Sequence, residues 1–171
     1  LGVKNEKEAI AGAQDIIAER VSDEAELRKK LRRIYLKNGE ISSKIQKAEE
    51  DGAKTYETYA DYAEPVAEIK SHRVLALNRG EDEGYLKVKV TIDEDFAVRV
   101  CEVGIVKEGS ITTPCVKFAV ADAYKRLIHP SIEREIRSFL TENAQEQAIK
   151  MFDVNLRPLL MQPPVKDKVT M

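Results

Sequence analysis

Two stretches of this sequence carry residue types that could do chemistry. In "SHRVLALNRGEDEG", Ser71 to Gly84, His72 is followed by Arg73, Arg79 and an acidic cluster at Glu81, Asp82 and Glu83. A histidine oriented by a carboxylate is a general base, and clustered carboxylates hold hard cations. In "RKKLRR", Arg28 to Arg33, five of six residues are basic, the composition of a phosphate-contacting patch.

Each stretch also has a plainer reading. His72 falls in the first turn of a short predicted helix, where a histidine is more often a surface or hydrogen-bonding residue. "GEDEG" lacks the regularly spaced oxygen ligands of a calcium loop and reads as an acidic turn. Gly80 and Gly84 are followed by no G-K-[ST], so no phosphate loop is present. Asp23, Glu24 and Glu26 precede the basic run on the same predicted helix. Acid first and base last suits the helix dipole, and Glu24–Arg28 and Glu26–Lys30 fall at i,i+4. A nucleic-acid interface would need Arg28, Lys29, Lys30, Arg32 and Arg33 to join Arg73 and Arg79 on one face, free of carboxylates.

Other chemistries find less support. Cys101 and Cys115 sit on apolar stretches with no histidine nearby, which favours buried, reduced thiols over a disulfide. Two histidines and no C-x-x-C argue against a zinc site. No G-x-S-x-G occurs. Tyr56, Tyr59 and Tyr62 are interleaved with acids, unlike a base-stacking platform. The sequence therefore predicts no catalytic residue, no metal and no cofactor.

The elements that would position these residues are mostly helical. With 171 residues, 43% hydrophobic and 34% charged, the chain is long enough for a real core with a charged surface. Its net charge of −2 supplies no overall basic field. The apolar runs are too short to span a bilayer, and "LGVKNEKEA" has neither the basic start nor the apolar core of a signal peptide. Both ends look cut.

Asn5 and Glu8 form a capping box for a helix with the stripe Ala9, Ile10, Ala13, Ile16, Ile17 and Val21. Asp23 and Glu26 offer a second box, leading into Leu27, Leu31, Ile34 and Tyr35, with Asn38-Gly39 as the stop. A helical turn is expected near Ala53 to Tyr59, and Pro65 sets a turn or a helix start. Ser71 is the expected cap of a helix that Gly80 ends. Leu86, Val88, Val90 and Ile92 alternate with polar residues, a strand over about 86–92. Its partner is Ile41 to Ile45, the region around Val169, or something outside the chain. Phe96 to Val106 is ambiguous, and the spacing of Phe96, Val100, Val103 and Gly104 leans to helix. Thr113-Pro114 starts a helix that His129-Pro130 interrupts near Ile128. Ser131 caps the last and longest helix, with the stripe Ile132, Ile136, Phe139, Leu140, Ile149, Phe152 and Leu156. Pro158 should kink or end it near Arg157, and "QPPVKDK" reads as a linker.

Three segments carry a resemblance: "EAIAGAQDIIAERVSDEAELRKKLR", "DGAKTYETYADYAEPVAEIKSHRVLALNRGEDEGYLKVKV" and "HPSIEREIRSFLTENAQEQAIKMFDVNLRPLLMQPP". In this order they resemble the central helical region of the bacterial Tex family of transcription accessory proteins, over nearly the whole chain. "KVTM" is similar to the start of the RNase-H-like domain that follows in that family.

The resemblance implies a helical Tex region over 1–162, with 163–171 as linker and start of the next domain. It also implies a cytoplasmic factor whose nucleic-acid contacts, to RNA or DNA, lie mainly in modules outside this chain. Those modules are RNase-H-like, helix-hairpin-helix and S1 domains, and the transcription machinery is the wider partner. Ser71-His72-Arg73, Arg79-Gly80, Gly84 and Asn155-Leu156-Arg157 match the family pattern as scaffold residues: a cap, a turn and a helix exit. Pro158 departs from it, where a helix-continuing residue is expected. The expected fold is mainly α and multi-helical, with a long C-terminal helix and a minor β element. The expected role is a non-catalytic scaffold, with a basic-patch nucleic-acid binder as the alternative.

Overall fold

The computed structural model describes residues 5–46 and 51–162. Helices dominate it, as the periodicity predicts: α1 (Glu6–Ser22), α2 (Ala25–Asn38), α3 (Ser71–Asp82), α4 (Glu94–Glu102), α5 (Thr113–Ala123) and α6 (His129–Leu160). A 3-10 helix covers Asp51–Tyr59 and a π turn covers Tyr124–Ile128. Three strands, β1 (Glu40–Ile45), β2 (Asp61–Pro65) and β3 (Leu86–Thr91), form one antiparallel sheet in the order β2-β1-β3. The predicted strand thus pairs with Ile41 to Ile45, with Ile41 opposite Val90 and Ser43 opposite Val88. The region around Val169 lies outside the described residues, as does the expected linker from 163 onward.

Alternation decides which sheet face is buried. Ile41, Ser43, Leu86, Val88 and Val90 point into the core, and the intervening residues point out. Leu31 and Tyr35 of α2, Leu77 of α3, Val120 of α5, and Ile132 and Ile136 of α6 are also fully buried. Pro65 ends the outer strand β2, an edge position where its missing N–H costs no ladder bond.

The other edge is closed by side chains. Gln46 donates its N–H to the Tyr85 carbonyl, so in β3 the backbone groups of Val88 and Val90 face away from β1. Glu81 of α3 accepts the Val88 N–H at 3.2 Å, and Glu133 of α6 accepts the Val90 N–H at 2.9 Å. Arg137 donates to the Val88 carbonyl at 3.5 Å and pairs closely with Glu81. These groups take the place of a fourth strand, satisfying donors that would otherwise be orphaned.

Several helix ends differ from expectation. Asn5 caps α1, accepting from the Glu8 N–H at 2.8 Å. The Asp23–Glu26 box is not made: Asp23 closes α1, and α2 begins without a side-chain cap. On α1, Ile10 and Ile16 of the predicted stripe are exposed, and Ala18 joins Val21 in the core. Gly39 is extended rather than left-handed, so α2 passes directly into β1. It must be glycine for a different reason, since a Cβ there would lie 2.4 Å from the Tyr35 carbonyl oxygen. Ser71 is the first residue of α3 rather than its cap, and its hydroxyl donates to Gln147 at 2.5 Å. Gly80 does not end α3, which runs to Asp82, and Gly84 with φ +78° makes the turn instead. Phe96 to Val106 resolves as helix only to Glu102, with Asp93 accepting from the Phe96 N–H.

The largest corrections concern α6. His129-Pro130 does not interrupt the chain, because the helix widens into the π turn and the His129 N–H reaches the Tyr124 carbonyl. Pro130 then falls in the first turn of α6, where a missing N–H is tolerated, and Ser131 lies within the helix rather than capping it. Pro158 does not end α6, which continues to Leu160. The bond it forfeits is to the carbonyl of Val154, on a part of the helix open to water. Of the predicted stripe, Ile132 and Ile136 are buried and Leu140 packs against the core, but Phe139, Ile149 and Phe152 are exposed.

Gly80 is required for packing, not for its backbone angles. A Cβ on it would meet Leu86 Cδ1 at 2.6 Å and Tyr56 Cδ1 at 2.9 Å. Replacing a mid-helix glycine with alanine normally gains about 1 kcal/mol of propensity. Here the overpacking outweighs it, so Gly80→Ala should lower stability by about 1–2 kcal/mol net in urea unfolding. A stabilised variant would show that α3 can shift away from β3.

Candidate functional site

The basic run lies on α2, and its members face different ways. Arg28 turns toward α6: it donates to Ser131 Oγ at 2.6 Å and to the Ser22 carbonyl at 3.3 Å, and lies 3.7 Å from Glu135. Arg32 pairs closely with the other oxygen of Glu135. Lys29 lies 3.8 Å from Glu26. The expected Glu24–Arg28 and Glu26–Lys30 pairs are therefore replaced. A guanidinium presents five donors in a fixed fork, and Ser22, Ser131 and Glu135 together satisfy more of them than one exposed glutamate can. Lys30 and Arg33 line an open cavity of about 530 Å³ with Val100, Val103 and Ile105.

Arg73 and Arg79 do not join this group. Arg73 pairs with Glu64 of β2 at 2.7 Å, and Tyr62 donates to the same carboxylate. Tyr62, with Arg73 beside it, holds Glu64 below the usual carboxylate range. Arg79 pairs with Glu83 at 2.8 Å, and Tyr56 also donates to Glu83 at 2.8 Å, so both keep that carboxyl low. Each arginine is thus matched to a carboxylate supplied by the fold.

The residues considered for catalysis are also engaged or apart. Glu81 serves Val88 and Arg137, and Glu83 serves Arg79 and Tyr56. His72 lines a largely apolar groove of about 520 Å³ with Leu75, Ala148, Met151 and Phe152. Cys101 is buried and free, its thiol pushed up to about 11 by burial. Cys115 is half-buried and free, 3.5 Å from the Gln14 side-chain nitrogen. Among the described residues, no group of three His, Cys, Asp or Glu is placed to hold a metal ion, and no helix is long and apolar enough to cross a membrane.

One polar cluster went unnoticed in the sequence. The Tyr35 hydroxyl lies 2.7 Å from the Tyr124 hydroxyl and 2.6 Å from His129 Nδ1, joining α2 to the π turn and the start of α6. Burial, then the bond to Tyr124, pushes the Tyr35 hydroxyl well above the ordinary tyrosine range, and burial raises Tyr124 too. No motif announces it, because its members lie 89 and 94 residues apart.

The second feature is the far half of α6. Ala144 is its last buried residue, and the following sixteen residues extend about 24 Å at ~1.5 Å each. Ile149, Met151, Phe152 (66% exposed), Val154, Leu159 and Leu160 (73%) are bare, spread around the helix rather than along one stripe.

The family model described as Tex central region-like matches residues 1–152. The chain belongs to the Tex family. It is 47% identical to the protein YdcI of Bacillus subtilis over 96% of its own length and 23% of that protein's. It is 29% identical to "Transcriptional accessory protein Tex" of Neisseria gonorrhoeae over 95% of its length and 22% of that protein's. It is 33% identical to "S1 RNA-binding domain-containing protein 1" of Pongo abelii over 77% of its length and 14% of that protein's. The Tex chain thus spans less than a quarter of the length of these relatives. The positions matched to the Tex pattern fall on α3, on the Gly84 turn, and on the projecting part of α6 at Asn155 to Arg157.

Tyr35→Phe leaves the Tyr124 hydroxyl and His129 Nδ1 without their shared partner, at a cost of about 1–3 kcal/mol. The same site gives a pH dependence. Below about pH 10 a tyrosine is neutral in folded and unfolded chains alike, so it contributes no slope. Above that, the unfolded chain releases a proton that the folded one retains, and stability falls as pH rises. Urea unfolding at pH 8 and 10.5 should show this fall in the parent and a shallower one in Tyr35→Phe. Equal slopes would mean Tyr35 ionises freely in the folded state.

Proposed function

We propose that this chain is a non-catalytic structural and interaction region of a modular transcription accessory factor of the Tex kind. It holds RNase-H-like, helix-hairpin-helix and S1 modules in position, and those modules make most of the contacts with nucleic acid in the cytoplasm. One observation carries the reading: α6 is packed on one half and bare on the other. Large apolar side chains left bare on several sides of a projecting helix, among polar ones, mark an interaction site on a protein surface. Relatives more than four times longer than the matched region supply chain that could cover it. The engagement of Arg28, Arg32, Arg73 and Arg79 by carboxylates supports a structural use of these residues rather than phosphate binding.

Hydrogen exchange in this chain alone and in the full-length protein tests the proposal. Amides of residues 145–160 should exchange rapidly in the chain alone and be protected at least about tenfold in the full-length protein. The packed half, 131–144, serves as an internal control protected in both. Equal exchange of 145–160 in the two settings would remove the basis for an interaction role.

A further inference from the structure

The groove lined by His72 lies where the bare half of α6 passes the start of α3. Its base is Ala144, Ala148, Met151, Phe152 and Asn155, which recur at helical spacing and share one face of α6. On the opposite face, Glu146 pairs with Lys150 and Asp153 with Arg157, so the charges there are spent on one another. α3 covers the groove face from Thr141, held by Asn78, as far as Gln147, held by Ser71. There α3 begins, and beyond Gln147 the same face of α6 is left without a neighbour. The small side chain of Ala148 leaves room for a second helix to approach closely.

The charge at the opening has one sign. No carboxylate lines the groove. Lys70 stands at its rim and makes no ion pair among the described residues. α3 starts with neither a side-chain cap nor an acid in its first turn. A lysine and the positive end of a helix dipole therefore meet at one place uncompensated.

Size decides between a separate partner and a tethered one. From Ala144 to Asn155 the face is about 16 Å long and one helix, about 10 Å, wide. A stable complex between separate proteins buries about 800 Å² on each, several times that footprint. A segment of the same polypeptide needs far less, because tethering raises its effective concentration to the millimolar range.

We propose that this groove receives a helix of the same polypeptide, from outside residues 1–171. Its apolar face lies on Ala148, Met151 and Phe152, and a carboxylate at its edge meets Lys70 and the first amides of α3. The helix continues along α6 the packing that α3 leaves off at Ser71. The inference rests on the reading of this chain as a region of a longer Tex protein.

The test is carbodiimide cross-linking of the full-length protein, which joins an amine to a carboxylate in contact with it. Products are read by mass spectrometry on a mixture of isotopically light and heavy protein. Lys70 should be joined to an Asp or Glu outside residues 1–171, within one copy. Met151→Arg puts a charge into the apolar contact and should cut that product at least about tenfold. Because Met151 is 63% exposed, the variant of the chain alone should melt with the parent, which excludes unfolding as the cause. Phe152→Leu keeps the face apolar and should retain the product. Joining of Lys70 only to carboxylates within 1–171, or a product unchanged by Met151→Arg, would overturn the inference. Joining between light and heavy copies would overturn it in favour of a second copy in the groove. If 145–160 are protected in the full-length protein while Lys70 finds no outside carboxylate, this inference fails and the scaffold reading stands. If those amides exchange equally in both settings, the scaffold reading fails and takes this inference with it.

Discussion

A three-stranded sheet with an open edge in contact with helices must satisfy the backbone of that edge, and the architecture follows from how this is done. β3 has β1 on one side only, leaving the Val88 and Val90 amides facing the helices. A buried amide without a partner costs as much as a lost hydrogen bond. Glu81 and Glu133 meet those amides from two different helices, and Arg137 ties Glu81 to the Val88 carbonyl. These bonds fix α3, β3 and α6 relative to one another before any apolar contact is counted. Asn78 and Thr141 extend the lock, with Asn78 donating to Thr141 at 2.8 Å. Charged groups at a helix–sheet seam orient the elements, since such pairs add direction more than net stability.

A second constraint sets the path of the chain between α5 and α6. Pro130 cannot donate, and its ring would crowd the carbonyl four residues back in a regular helix. Widening to a π turn over Tyr124–Ile128 relieves that conflict without ending the helix. The same widening brings Tyr124 and His129 to one side, where the Tyr35 hydroxyl joins them. A proline that reads as a break in sequence thus becomes a joint between two helices. The joint is held by polar groups buried together, each satisfied by another.

Much of the fold was legible because it rests on local periodicity. The strand at Leu86 to Thr91 declares itself by strict alternation, and Ile41 to Ile45 was among its foreseeable partners. The helical lean at Phe96 was correct because Asp93 supplies a cap. What failed was what neighbours decide. Gly39 and Gly80 looked like terminators, but both are glycine because another residue occupies the space of a Cβ. The stripe on α6 is periodic to Leu156, yet periodicity cannot say where the body ends, and burial stops at Ala144. Of the candidate site residues, the arginines were identifiable as basic, but the carboxylate that Arg28 and Arg32 share lies far away in sequence. Glu135 is 103 residues from Arg32. The lysines of β3 were visible only as the polar half of an alternation, because a cluster formed across strands has no linear signature.

The division between arginine and lysine in this chain follows from their chemistry. Arg28, Arg32, Arg73 and Arg137 all reach across elements, and each makes contacts that a planar fork with several donors can satisfy at once. Such residues are poorly available to an outside phosphate, because binding it would first require breaking bonds that hold helices together. Lys44, Lys87 and Lys89 have no such commitment, and their long stems keep a strongly hydrated charge away from the sheet. The two populations are thus distinct in what they do for the fold. Charges that determine the fold cannot be exchanged for ligand contacts without loss of structure, whereas charges that only burden a sheet face gain by meeting an anion.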